Sequence, residues 1–175
     1  EFNMACKART VSFSQLYGGK ITAALSRQHP RDLFDCKYME IESFADVKDG
    51  FMLCLLGSDK PIIESLSPHQ IDQSDALEKQ FEGMSDIPFS YSDYEVARHH
   101  LVQMVNDNLT EADKRFLISY EKGKPEWSLC SSGYLGDYPS VKWKLQNINK
   151  LRNTNTKKFE ESIAKLTDYF GLKMH

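Results

Sequence analysis

Apolar residues recur at intervals of three and four along most of the chain, and no stretch alternates with the period of two that a half-buried strand requires. A chain patterned this way packs helix on helix, so the fold class expected is mainly α. Ser12 followed by Gln15 has capping-box spacing, and Leu16, Ile21, Ala24 and Leu25 then predict a first helix running to about Gln28. His29-Pro30 punctuates it, because proline disfavours helix in the residue before it and is at home at the first position of a new one. A second helix is predicted from Pro30 to about Phe44, with Leu33, Phe34, Tyr38 and Ile41 on one face.

Further helices are predicted at Phe51–Leu56, Ser74–Gly83, Ser92–Asn106 (with Ser92 and Glu95 as a second capping box), Thr110–Gly123, Pro139–Leu151 and Thr156–Phe170. Gly57 and Gly171 are placed to end two of them. Pro61 and Pro68 cut the chain between into short pieces, and the stretch 124–139, rich in glycine, proline and serine, reads as a loop. Trp127 and Trp143 are expected as packing anchors of a helical core.

Glu1 and Phe2 are what a common cloning site encodes, so residues 1–3 are set aside as a cloning remnant and residues 4–175 are read as one helical domain. Hydrophobic residues at 41% and charged residues at 27% describe a globular protein rather than a disordered or fibrous one. The longest apolar run, Phe51–Leu56, falls far short of the roughly 20 residues that cross a bilayer, and the first residues lack a secretory pattern, so a cytoplasmic location is expected. Cys6, Cys36, Cys54 and Cys130 are too scattered for metal-ligand spacing and read as reduced thiols.

Charge is unevenly spread although the net value is only -3. Sixteen acids face four bases between Glu40 and Asp113, whereas eight bases face three acids from Tyr138 to His175. Lys142, Lys144, Lys157 and Lys158 in that basic end are candidates to contact RNA phosphates, and equally read as the solvated face of amphipathic helices.

The chemistry concentrates between Leu16 and Asp35, in Leu-Tyr-Gly-Gly-Lys followed by His-Pro-Arg-Asp-Leu-Phe-Asp. Gly18 and Gly19 within a helical pattern cost about 1 kcal/mol each relative to alanine, which calls for a packing or access reason. Lys20 beside them reads either as a point charge for a bound triphosphate or as an exposed helix lysine. Asp32 and Asp35 share a helix face, and Arg31 is spaced to pair with Asp35. Two carboxylates on one face can hold a divalent metal or take a proton; alternatively Asp32 complements the helix dipole while Arg31 and Asp35 form a surface pair.

These two strings resemble the third and fourth active-site motifs of the AbiEii/AbiGii toxin family, and Gly123-Lys-Pro-Glu-Trp-Ser-Leu129 and Pro139-Ser-Val-Lys-Trp-Lys-Leu-Gln-Asn147 resemble the same proteins. The likeness covers most of residues 12–151. It implies a polymerase-β-like nucleotidyltransferase, the toxic half of an abortive-infection toxin–antitoxin pair, with a nucleoside triphosphate and Mg2+ as cofactors, an RNA such as tRNA as acceptor and an antitoxin protein as partner. It also implies roles: Lys20 catalytic and on the nucleotide phosphates, Asp32 in base or metal chemistry, Arg31 and Asp35 orienting Asp32 or the nucleotide.

Two departures shape this expectation. Ser14 and Gln15 stand where the family commonly has an acid, and neither a glycine-serine phosphate loop nor an Asp-x-Asp pair occurs, Gly57-Ser58-Asp59 reading as a turn. The chain is therefore expected to be the C-terminal half, lacking an α/β half before residue 1 and inactive alone. The competing readings are a non-catalytic module that binds RNA or an antitoxin, and a metal-dependent hydrolase using Asp32, Asp35, His99 and His100.

Overall fold

The computed structural model describes residues 8–133 and 135–172, so the set-aside residues 1–3 and Cys6 lie outside the described residues. Among the described residues the regular structure is entirely helical: α1 (Phe13–Arg27), α2 (Pro30–Lys37), α3 (Lys48–Leu56), α4 (Ile62–Leu66), α5 (Ser74–Gln80), α6 (Tyr91–Asn108), α7 (Glu111–Glu121), α8 (Pro139–Thr154) and α9 (Thr156–Tyr169), with short 3-10 turns at Phe44–Asp46 and Trp127–Leu129. No helix among them is long and apolar enough to cross a membrane.

The helix starts follow local chemistry. Ser12 Oγ accepts from the Gln15 N–H at the head of α1, and Thr110 and Asp113 close the same reciprocal box on α7. Several boundaries differ from the spacing-based expectation: α3 begins at Lys48 rather than Phe51, α4 is an added short helix, α5 ends at Gln80 and α8 runs on to Thr154. Two further differences have a definite local cause. The second helix stops at Lys37 rather than Phe44, because Ser43 and Asp46 form a capping box of their own and open a 3-10 turn there. The sixth starts at Tyr91, capped by Ser90 and Asp93 rather than by Ser92 and Glu95. Phe89, just before that cap, packs on Phe34 and Phe81 and fixes where the chain enters the helix.

The centre of the fold is the crossing of α1 over α3. A Cβ at Gly18 would run into the backbone N of Phe51, and one at Gly50 into the Ser14 carbonyl. The two helices therefore meet backbone to backbone, and the Gly50 N–H donates to Ser14 Oγ at 2.9 Å. The packing reason for Gly18 is thus another helix. Gly19 is different: a Cβ there would come no closer than 3.7 Å, to Cys54 Sγ.

Around this crossing Ile21, Leu25, Leu33, Phe51, Met52 and Leu55 are buried with Ile62, Leu66, Phe116 and Leu117 in one core. Tyr120 joins three elements, its hydroxyl proton shared between Leu56 O at 2.8 Å and Val141 O at 3.1 Å. Trp127 packs against Phe116 with ring centres 5.4 Å apart, whereas Trp143 is 52% exposed on α8 and is no core anchor.

Asp113 does more than cap α7. Fully buried, it accepts from Lys48 Nζ, Thr110 and Ser131 Oγ, and so ties α3 and the 124–139 segment to α7. Burial works to raise its pKa, but hydrogen bonds from Lys48 and Thr110 outweigh it and hold the carboxyl below its ordinary value near 3.8.

Two predictions follow from these contacts. Alanine in a helix normally gains about 1 kcal/mol over glycine, yet overpacking costs about 1–3 kcal/mol or more, so Gly50→Ala lowers the melting temperature while Gly19→Ala leaves or raises it. Because the Asp113 pKa is depressed in the folded state, its stabilisation is present above the unfolded value and is lost as pH falls below about 4. Urea unfolding of Asp113→Asn then shows a loss of about 3 kcal/mol at pH 7 and a flatter acid limb than the unaltered chain.

Candidate active site

The residues singled out between Lys20 and Asp35 meet at the corner between α1 and α2. Gln28, the residue past α1, takes a left-handed conformation with φ 52° and ψ 27°. That conformation is costly for a residue with a Cβ and persists where neighbours over-determine it. Here the Gln28 carbonyl accepts from Tyr94 Oη at 2.9 Å, its Nε2 donates to His69 O at 2.6 Å and its Oε1 accepts from Arg98 at 3.4 Å. Arg98, itself buried, donates also to Ile71 O at 3.0 Å. Helix α6 thereby clamps the turn from within.

His29 caps α2 through Nδ1, which accepts from the Arg31 N–H at 3.2 Å; the tautomer with the proton on Nε2 then donates to Gln80 Oε1 at 3.0 Å. Pro30 at the first helical position sets Asp32 in the first turn of α2, where the helix dipole favours an anion.

Two ion pairs span the corner. Lys20 Nζ donates to Asp35 Oδ2 at 2.5 Å, with both side chains 38% exposed, and Arg27 Nη2 donates to Asp32 Oδ1 at 2.8 Å. The lysine of the first string and the acids of the second are thus brought together at one corner. The pairing differs from the spacing-based one, however. Arg31 is exposed and forms no ion pair among the described residues, because Lys20 from α1 occupies Asp35. Arg27 was not among the candidates, although five residues across a proline-marked turn put it within reach of Asp32.

Asp32 has the most unusual environment. Its Oδ2 is buried with no hydrogen-bond partner, which leaves one carboxylate oxygen with unused acceptor capacity. Cys36, one turn on, is buried, and that burial, followed by the charges of Asp32 and Asp35, pushes its thiol up to about 12, so it stays protonated and is no nucleophile.

No three His, Cys, Asp or Glu side chains among the described residues are grouped to share an ion. With Oδ1 of Asp32 held by Arg27 and Asp35 held by Lys20, these residues do not by themselves fit a magnesium site. His99 and His100 are exposed on α6, and the hydrolase reading finds no metal cluster to use.

The basic end divides. Lys142 pairs with Asp137 at 3.0 Å and Lys157 stands 4.0 Å from Glu161, both in solvent, while Lys158 lines a cleft between α8 and α9. Lys144 is a correction: it is buried, 6% exposed, and donates to Lys60 O at 2.5 Å. It falls three residues after Val141 and four before Ile148, on the apolar stripe of α8, and that spacing was the available signal.

The described residues thus form an all-helical body with a lysine and two acids braced at one corner. The sequence model of the family described as nucleotidyl transferase AbiEii toxin, type IV TA system, matches residues 1–147. The chain belongs to this family of nucleotidyltransferase toxins, for which a nucleotide substrate and an antitoxin partner follow. No curated protein and no solved structure matches it.

Burial decides which of these charges hold the fold. The Lys20–Asp35 pair, more than a third exposed, contributes less than about 1 kcal/mol, whereas removing a buried, multiply bonded guanidinium costs about 2–3 kcal/mol. Asp35→Asn therefore leaves the urea midpoint nearly unchanged and Arg98→Met lowers it clearly; equal losses would make the Lys20–Asp35 pair a structural device.

Proposed function

We propose that this chain is the helical C-terminal part of a nucleotidyltransferase toxin which, when complete, transfers a nucleotide from a nucleoside triphosphate to an RNA acceptor of the tRNA type, in the cytoplasm. The observation that carries the reading is the corner itself, where Lys20, Asp32 and Asp35 converge with the unpaired Arg31 beside them. Lys20 and Arg31 are suited to the phosphates, and Asp35 holds the Lys20 ammonium in place until a phosphate replaces it.

Asp32 is the base in this scheme. The acceptor hydroxyl oxygen forms the new bond to the α-phosphorus, pyrophosphate leaves, and the hydroxyl proton passes to the Asp32 carboxylate, which must turn an oxygen outward as Arg27 releases it. Magnesium, expected with the nucleotide, would in this scheme be held by residues other than these.

The open side of the corner supports a missing wall. Phe13 and Leu16, at the spacing that puts them on one face of α1 with Lys20, are 51% and 46% exposed, and Val11 before them is 59% exposed. We assign that side to the α/β half carrying the phosphate loop and acid pair, so the chain alone transfers nothing. The acceptor RNA is proposed to run along the exposed Lys142 and Trp143 of α8 and Lys157 and Lys158 of α9, without Lys144.

The test is labelled-nucleotide transfer to tRNA by the intact gene product. Lys20→Ala and Asp32→Ala each lower turnover by at least about a hundredfold, and Arg31→Ala acts mainly on KM for the nucleotide. Unchanged activity in the first two variants sinks the assignment. Lys142→Ala with Lys157→Ala weakens RNA binding and reduces its salt dependence, and RNA binding insensitive to salt removes the proposed path.

A further inference from the structure

A second site is a cleft of about 550 Å³ walled by α4, α8, α9 and the end of α7, with His69, whose carbonyl accepts from Gln28, at its edge. Helix α9 begins after residue 147, so this wall is outside the stretch matched by the family model.

Two buried, oppositely charged groups line the cleft without touching. Glu121 is 7% exposed; its Oε1 accepts from Ser162 Oγ at 2.6 Å, and its Oε2 is buried with no partner. Lys144 is 6% exposed and spends one N–H on Lys60 O, leaving two. No ion pair joins them among the described residues. Desolvation pushes the Lys144 ammonium down, and Glu121 is the carboxylate that opposes this most strongly through space. Both groups thus line one cleft without closing on each other as an ion pair.

Buried charges left unpaired are expensive, and a helical protein has cheaper ways to fill such positions. Water satisfies hydrogen bonds across such a gap but supplies no countercharge. A molecule carrying one cation and one anion a few ångströms apart supplies both. The rest of the lining suits a small organic body: Pro61, Ile63, Ile148 and Leu151 are apolar, and the volume lies in the range of small-molecule sites. The rim is mixed in sign and leans acidic, with Asp59, Glu64 and Glu161 against Lys158 and Lys165, which disfavours a multiply charged phosphate ester.

We propose that this cleft binds a small zwitterion of the α-amino-acid class, its ammonium taken by Glu121, its carboxylate by Lys144 and its side chain by Ile148 and Leu151. The broad terminal torsion of a glutamate lets the carboxyl turn one oxygen to the ligand while Ser162 keeps the other. This site is independent of the nucleotidyl-transfer reading and stands or falls apart from it.

Calorimetric titration of the 175-residue chain with L-leucine tests it, using the unaltered protein so that no variant need fold. One saturable site is expected, with L-leucinamide and N-acetyl-L-leucine, each lacking one of the two charges, at least about tenfold weaker. Glycine, without a side chain for the apolar wall, is weaker as well, and a folded Glu121→Gln chain loses leucine binding. The proposal is overturned by no saturable leucine binding up to about 10 mM, by single-charge analogues that bind as well as leucine, or by AMP or CMP occupying the cleft where leucine does not.

Discussion

Everything in this fold hangs on the close approach of α1 and α3 at Gly18 and Gly50. Helices separated by ordinary side chains lie about 8–10 Å apart, and removing the Cβ at the contact brings the axes closer. That closeness lets Ser14 reach the Gly50 amide and lets Phe51 and Met52 sink fully into the core. It also fixes the direction in which α1 runs, and so the point at which its last turn delivers Arg27 and Gln28 to the start of α2. The chemistry of the corner is downstream of a packing decision made on the other face of the same helix.

Much of this is legible in the sequence, and the failures have definite causes. The starts of α1, α7, α8 and α9 follow from side-chain caps or a first-position proline and match the helices expected. The start of α6 does not, because Ser90-x-x-Asp93 and Ser92-x-x-Glu95 offer the same local pattern two residues apart. Only the anchoring of Phe89 by rings distant in sequence separates them. Gly50 was missed for a related reason: a glycine near a helix start looks like punctuation, and nothing local says that another backbone presses on it.

The charges at the corner lie together, but not in the pairs that spacing suggests. Spacing within one helix suggests Arg31 with Asp35, but a salt bridge between helices is chosen by tertiary placement, and α1 puts Lys20 on that carboxylate instead. Lys144 shows the opposite failure. Counting it among basic residues ignored its register, which places an ammonium on the apolar stripe between Val141 and Ile148. Composition reports what a segment contains; register reports what it can show to a partner.

The resting contact between Lys20 and Asp35 has a consequence for whatever anion approaches the corner. The ammonium is seldom presented bare: a tethered carboxylate sits on it, so the binding proposed there is largely an exchange of one anion for another rather than a capture. Chloride or acetate gains little from such an exchange, because it replaces an equal charge and forfeits the tether. A polyanion that also engages Arg31 gains more than it displaces. The pair thus acts as a threshold, trading affinity for indifference to the simple salts that surround any protein.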